Sequence, residues 1–197
     1  WKARDDYIAL VLERSRDNID AFLSKHAVKE LQEHDRIRCL KLLECQRHAM
    51  LMYTSCGWFF DELSGIETVQ VIHYAGRTVQ LARQIFGEAV EPRFLKLLQE
   101  AKSNMPEHRD GRTIYEKWVR PAMVDLTRVA AHFAVGSIFE ENLERTIGAY
   151  SVEHEDLVRF QTGRNKLLMG RSVFTSQITT EESQLTYGVL HFGDHNI

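Results

Sequence analysis

Apolar positions in the first two thirds of the chain recur three and four residues apart, and in the last quarter they alternate. Ile8, Val11 and Leu12 predict a short helix from about Asp5, and Ile19, Phe22 and Leu23 predict a second, with Ser15 or Asp17 as its cap. A longer helix is predicted from about Asp35 through Tyr53, where Ile37, Leu40, Leu43, Arg47, Met50 and Leu51 keep a near-3.6 period without proline or glycine. It is expected to stop at Thr54-Ser55-Cys56-Gly57. The next is expected over 65–86, with Ser64 as N-cap and Glu67 at N3 of a capping box and Gly87 as terminator. Pro92 fits a first-turn proline of a helix running to about Ser103, and residues 112–140 read as helix kinked or split near Val119-Arg120 by Pro121.

After Glu144 the period changes. Thr146 to Val152, Leu157 to Thr162, Leu167 to Ile178 and Leu185 to Phe192 read as strands. The expected architecture is a mainly α-helical domain of six or seven helices over 1–144, followed by a truncated antiparallel β region over 145–197, incomplete at its C-terminus. The opening Trp1-Lys2-Ala3-Arg4-Asp5-Asp6, without methionine, reads as a boundary cut into a longer chain.

Composition narrows the partners. With 25 Lys plus Arg against 28 Asp plus Glu, the net charge of −3 offers no electrostatic footprint for nucleic acid or an anionic membrane. No apolar run reaches the roughly 18 residues of a spanning helix. Cys39, Cys45 and Cys56 form neither a CxxC pair nor an even disulfide set, which suits a reducing compartment, the cytoplasm. No metal or cofactor is expected. The nine histidines include no HExxH, the His191 and His195 pair reads as a strand end, and the turns at Gly163 and Gly170 lack the glycine pattern of a phosphate loop.

The chemistry concentrates in Tyr53–Glu67, which packs four aromatic residues and three carboxylates around a glycine turn. Aromatic faces cover the C–H face of a pyranose while carboxylates and hydroxyls bond its edge, so Trp58, Phe59, Phe60, Asp61 and Glu62 are candidate sugar-binding residues. Glu67, Gln70 and Tyr74, with Arg77, continue the set as a polar stripe along one helix face. The bland alternative is a buried corner between helices, with the rings as core and Glu67 as a cap. Asp61, Glu62 and Glu67 are poor candidates for a self-contained glycosidase pair, because two such carboxylates flank the scissile bond from different elements. No catalytic residue is therefore assigned.

The string Leu51–Gln70 resembles the uncharacterised region C-terminal to the barrel in proteins that resemble glycoside hydrolase family 57. Trp1–Tyr7, Tyr115–Met123 and Thr175–Glu181 support the likeness, which spans nearly the whole chain. The resemblance implies an amylase- or mannosidase-like barrel upstream in the same polypeptide, carrying the nucleophile and acid and serving as the chain's partner. In better-understood family members a helical domain packs on the active-site face and lends an aromatic segment to the cleft. By that likeness Trp58 and its neighbours would line the site for an oligo- or polysaccharide, in a glycosidase or glucanotransferase, and the chain alone would be inactive. Cys56-Gly57-Trp58 departs from the Ser-Asp-Trp pattern of those enzymes, so Asp61 inherits no role from it. The rival expectation is a structural or protein-interaction module that docks the barrel without touching sugar.

Overall fold

The computed structural model describes residues 1–87, 90–140 and 145–193. Helices come first and strands follow, as the periodicity predicts: α1 (Lys2–Leu12), α2 (Arg16–His26), α3 (Glu33–Leu51), α4 (Cys56–Phe59), α5 (Ile66–Phe86), α6 (Val90–Leu98), α7 (Gly111–Ile114), a π-helical stretch Tyr115–Val119, α8 (Arg120–Ala122) and α9 (Leu126–Ser137). An antiparallel meander of β1 (Thr146–Ile147), β2 (Tyr150–Thr162), β3 (Asn165–Ser176) and β4 (Glu182–His191) completes it, in the order β1-β2-β3-β4. No helix among the described residues is long and apolar enough to cross a membrane.

The chain divides into two compact units, Trp1–Met123 and Val124–Ile197. The period change had suggested a division at 144/145 instead. The earlier boundary arises because α9 places Val129, Ala130 and Phe133 in one cluster with Val152 of β2 and Phe174 of β3. Periodicity identifies α9 as a helix but carries no information about which surface its apolar face covers.

Within the first unit, Tyr7 and Leu10 of α1, Ile19, Phe22 and Leu23 of α2 and Leu40 of α3 form one core cluster. Ser15 is the cap of α2, its hydroxyl accepting the Asn18 N–H at 3.2 Å. A buried charge cluster ties α1 and the turn after it to α3. The Tyr7 hydroxyl donates to Glu44 Oε1 at 2.6 Å, Arg14 Nη2 donates to that oxygen at 2.7 Å, and Arg47 Nη2 donates to Glu44 Oε2 at 3.1 Å. Burial by itself would raise the pKa of Glu44. Hydrogen bonds from His48, Arg47, Tyr7 and Arg14 outweigh it and hold the carboxylate far below the ordinary range.

Helix α5 runs where expected, and its C-terminal cap is Gly87 at φ 105°, whose N–H bonds Arg83 O at 3.0 Å. Its start differs from the predicted capping box. Gly65, not Ser64, is the N-cap and no side chain caps the helix. The Ser64 N–H that Glu67 would have satisfied is taken by Glu62 Oε1 at 2.8 Å. Further on, Pro121 acts as anticipated on the segment 112–140. The backbone widens to a π turn over Tyr115–Val119, α8 ends at Ala122, and a new helix starts at Leu126 behind the Asp125 cap. A proline ring crowds the carbonyl four residues back and offers no N–H, so the wider turn just before it relieves both defects.

The two strands predicted over 146–152 and 157–162 resolve differently. Residues 150–162 form one long strand, β2, interrupted in register between His154 and Asp156, and β1 pairs with its beginning. The bulge accommodates the polar run Glu153–Asp156 that broke the alternation in the sequence. On the face under α9, β3 presents Leu168, Gly170, Ser172 and Phe174, all buried. Gly170 leaves room for its cross-strand partner Tyr187, whose hydroxyl would lie 2.7 Å from a β-carbon added there.

A short polar chain crosses this core. Ser172 Oγ lies 2.9 Å from the Tyr187 hydroxyl and 3.4 Å from His154 Nδ1, while the His154 ring stacks on Phe133 with centroids 5.1 Å apart. His154 Nε2 is buried without a hydrogen-bond partner among the described residues. Burial, assisted by the charge of Arg145, pushes the pKa of His154 below that of a free histidine. The unfolded chain therefore takes up this proton more readily than the folded one. The stability that neutral His154 permits is complete above the ordinary histidine pKa of about 6.5 and is lost as the pH falls through the lower folded-state value. Amide exchange of β3, followed from pH 8 to pH 5, should accelerate beyond its intrinsic pH dependence at the acid end. His154→Gln should remove that excess, and an undiminished excess in the variant would assign the effect to another group.

Candidate functional site

The corner between α3 and α5 is where the sequence concentrates its aromatic and acidic residues, and the structure leaves its rings in solvent. Trp58, Phe59 and Phe60 are 74%, 71% and 47% exposed, and Tyr53 is exposed beside them in sequence. The buried-corner alternative therefore does not describe these rings. They stand edge to face, with centroids 6.4 Å apart for Trp58 and Phe59 and 5.2 Å apart for Phe59 and Phe60. Three neighbouring large rings left this exposed make the corner the candidate site among the described residues.

The backbone explains how rings without burial acquire fixed places. After α3 the chain turns through Tyr53 N–H to Met50 O and Thr54 N–H to Leu51 O, and Ser55 O then accepts from the Trp58 and Phe59 N–H groups to start α4. This single turn occupies the segment where the sequence predicted only a stop. Gly57 lies against α5 so closely that an added β-carbon would sit 2.9 Å from Val71 Cγ2. Glycine is what permits that approach, and it anchors the N-terminal side of the aromatic run.

The C-terminal side is anchored by Glu62. Its Oε1 accepts the Ser103 hydroxyl at 2.6 Å and the Ser64 N–H at 2.8 Å, and its Oε2 accepts the Asn104 N–H at 2.8 Å. Asn104 also donates its side-chain amide to Asp61 O at 2.5 Å. Led by the Ser103 hydroxyl and the Ser64 N–H, these donors lower the pKa of Glu62 to about 2. Next in the chain, Leu63 packs on the buried cluster of Ile72, Leu95, Ile114, Tyr115 and Val119.

The predicted residues thus separate. Trp58, Phe59, Phe60 and Asp61 are exposed together at the corner, whereas Glu62 is half-buried and turned to protein donors. Glu67 curls back toward the helix start, its Oε2 lying 3.4 Å from where a Gly65 β-carbon would be. Gln70 is exposed, and Tyr74 is half-buried beside His48 of α3, ring centroids 6.1 Å apart. With Glu62 occupied, the corner holds no free pair of carboxylates from Asp61 and Glu62. Cys56 is exposed and free. Among the described residues no group of three His, Cys, Asp or Glu side chains could hold a metal ion. His191 lies at the end of β4, and His195, its predicted neighbour, falls outside the described residues.

Sequence reasoning missed Ser103 and Asn104, which complete the corner from about forty residues away. No local pattern joins them to Glu62. It also missed the Tyr7, Arg14 and Glu44 cluster, although a glutamate on the apolar side of α3 beside Leu40 and Leu43 was a legible sign of a buried partner.

Fold and site together define a class: a helical unit with an exposed aromatic corner, joined to an antiparallel meander with a helix on one face. Over its whole length, residues 1–197, the chain matches and belongs to the family described as Domain of unknown function (DUF3536). No curated protein and no solved structure matches it.

Proposed function

We propose that this chain forms the substrate-side wall of a carbohydrate-active enzyme resembling glycoside hydrolase family 57, a hydrolase or glucanotransferase of the cytoplasm. An upstream barrel of the same polypeptide would carry its catalytic carboxylates. The observation that carries the reading is the row of three solvent-facing rings, Trp58, Phe59 and Phe60, next to the exposed carboxylate of Asp61. Flat apolar faces beside a hydrogen-bonding edge suit the two-sided chemistry of a pyranose, and a row of them suits successive residues of an oligo- or polysaccharide. In this role the chain binds and orients sugar, and the bond-breaking groups come from elsewhere.

A second reading has its own observation. Tyr53, Ile66 and Met105 are exposed as well, so apolar surface extends beyond the three rings, as expected of a face that docks the barrel as a structural module.

Titrating the chain with linear gluco- and manno-oligosaccharides, followed by tryptophan fluorescence or calorimetry, separates the two. Covering one apolar ring is worth about 1.5–3 kcal/mol, so Trp58→Ala should weaken binding roughly ten- to a hundredfold. Because the ring is exposed, the thermal midpoint should hardly move. Absence of binding by the unsubstituted chain, or equal binding by Trp58→Ala, would sink the carbohydrate reading.

A further inference from the structure

We propose that Glu62 is the positioning residue of the aromatic corner, fixing where the Trp58, Phe59 and Phe60 rings stand by gripping Ser64, Ser103 and Asn104. The proposal deepens the carbohydrate-wall reading and rests on it only for the identity of the ligand.

Rings that are 47–74% exposed touch one another edge to face but have little core beneath them, so their positions depend mainly on the backbone on either side. On one side Gly57 is pressed against Val71. On the other, the run Phe60-Asp61-Glu62-Leu63-Ser64 lies between two helices and has no regular backbone ladder to hold it. Glu62 supplies the missing constraint from within the run. One of its oxygens closes the local turn on the Ser64 N–H, and both reach the Ser103-Asn104 segment through the Ser103 hydroxyl and the Asn104 N–H. Asn104 donates a second bond, from its side-chain amide to Asp61 O, so the grip is doubled. Donors from Ser64, two residues away, and from the Ser103-Asn104 segment, 41 and 42 residues away, leave the run little freedom to slide or twist.

The segment Glu62 reaches is itself well anchored. Ser103 N–H bonds Arg109 O at 3.1 Å, Gly111 N–H bonds Ala101 O at 2.9 Å, and Lys102 pairs with Asp110 in an antiparallel bridge. Asp110 then caps α7 by accepting the Thr113 N–H at 2.9 Å. The corner is therefore tied through Glu62 to a closed loop rather than to a loose one. A preorganised ring row binds without spending free energy on ordering itself, which is the expected function of such a tie.

The test uses the 197-residue chain labelled with 15N, in which Trp1, Trp58 and Trp118 each report through an indole N–H resonance. Trp118 packs on the buried cluster around Tyr115 and serves as the folding control. Glu62→Ala should shift or broaden the Trp58 indole signal and abolish cross-relaxation between Phe59 and Phe60, leaving Trp118 in place. Oligosaccharide binding should weaken at least about tenfold. Glu62→Gln should be intermediate, because its amide oxygen still accepts from Ser103 or Ser64 while its NH2 cannot accept from Asn104. Ser103→Ala should give a smaller shift in the same direction and keeps the test available if Glu62→Ala does not fold. In the unsubstituted chain the Trp58 signal should be flat from pH 7 to 4 and move only near pH 2, where Glu62 takes its proton. An unmoved Trp58 signal and intact Phe59 to Phe60 contacts in Glu62→Ala would overturn the proposal. A Trp58 signal that responds to Glu62 in a chain that binds no saccharide would instead overturn the ligand reading and leave the positioning role standing.

Discussion

Glu44→Ala should cost the Trp1–Met123 unit about 3–5 kcal/mol, the range for removing one partner of a buried ion cluster. Glu44 is 1% exposed and accepts from Tyr7, Arg14 and Arg47. Its removal takes away the acceptor of the Tyr7 O–H, leaving that oxygen only its bond from Arg14, and leaves Arg14, itself largely buried, without its carboxylate. The loss is large beside a typical total stability of about 5–15 kcal/mol. Glu44→Gln, which keeps the volume and one acceptor oxygen, should cost less. In a cycle with Tyr7→Phe the two losses should add to less than their sum, since both remove the same bond. Urea unfolding monitored by helical circular dichroism measures this as a fall in midpoint with an unchanged slope. A loss below about 1 kcal/mol would mean that water reaches the cluster and replaces the missing oxygen.

The same carboxylate sets an acid limit. Its folded-state pKa is depressed, so its contribution is complete above the unfolded value of about 4.3 and is lost only as the pH falls through the folded value. Acid sensitivity of the Trp1–Met123 unit from this source should begin below pH 4. The His154 effect in the other unit begins at a pH about two units higher. The units should therefore respond to acid at separate pH values.

Phe133→Ala is the matching large effect in the Val124–Ile197 unit, where truncating a buried phenylalanine should cost about 3–5 kcal/mol through lost transfer energy and a cavity. Phe133 is 4% exposed and projects from α9 onto the sheet, with centroids 5.8 Å from Phe174, 5.9 Å from Tyr187 and 5.1 Å from His154. Three ring contacts converge on it. Their loss should free α9, so amides of α9 and of the β3 and β4 residues beneath it should lose exchange protection together. Phe160→Ala, on the exposed side of the same sheet, should have a much smaller effect. Protection of α9 retained in Phe133→Ala would mean that Val129, Ala130 and Ala134 hold the helix by themselves.

What the sequence determined by itself was local in origin. The spacing of Leu40, Leu43, Arg47 and Leu51 predicted α3 over 35–53 and the structure has it over Glu33–Leu51, while Gly87 was legible as a terminator from its place after Phe86. Helix period, glycine at φ above zero and the missing N–H of Pro121 act within one or two turns of chain, so they can be read without knowing what packs where. The change of period after Glu144 likewise announced strands.

Tertiary structure decided everything that depended on a partner distant in sequence. A capping box at Ser64 and Glu67 was sound local chemistry, yet Glu62 reached the Ser64 N–H first because Ser103 and Asn104 hold its carboxylate in place. Helix α9 went to the sheet because Phe174 and Val152 offered its apolar stripe a surface, which no pattern within 126–137 encodes. Above all, the Trp58-Phe59-Phe60 row could be read as core or as binding surface, and composition alone favours core. Burial is set by what the rest of the chain places over a ring, and here the described residues leave Trp58 and Phe59 mostly uncovered and Phe60 about half covered.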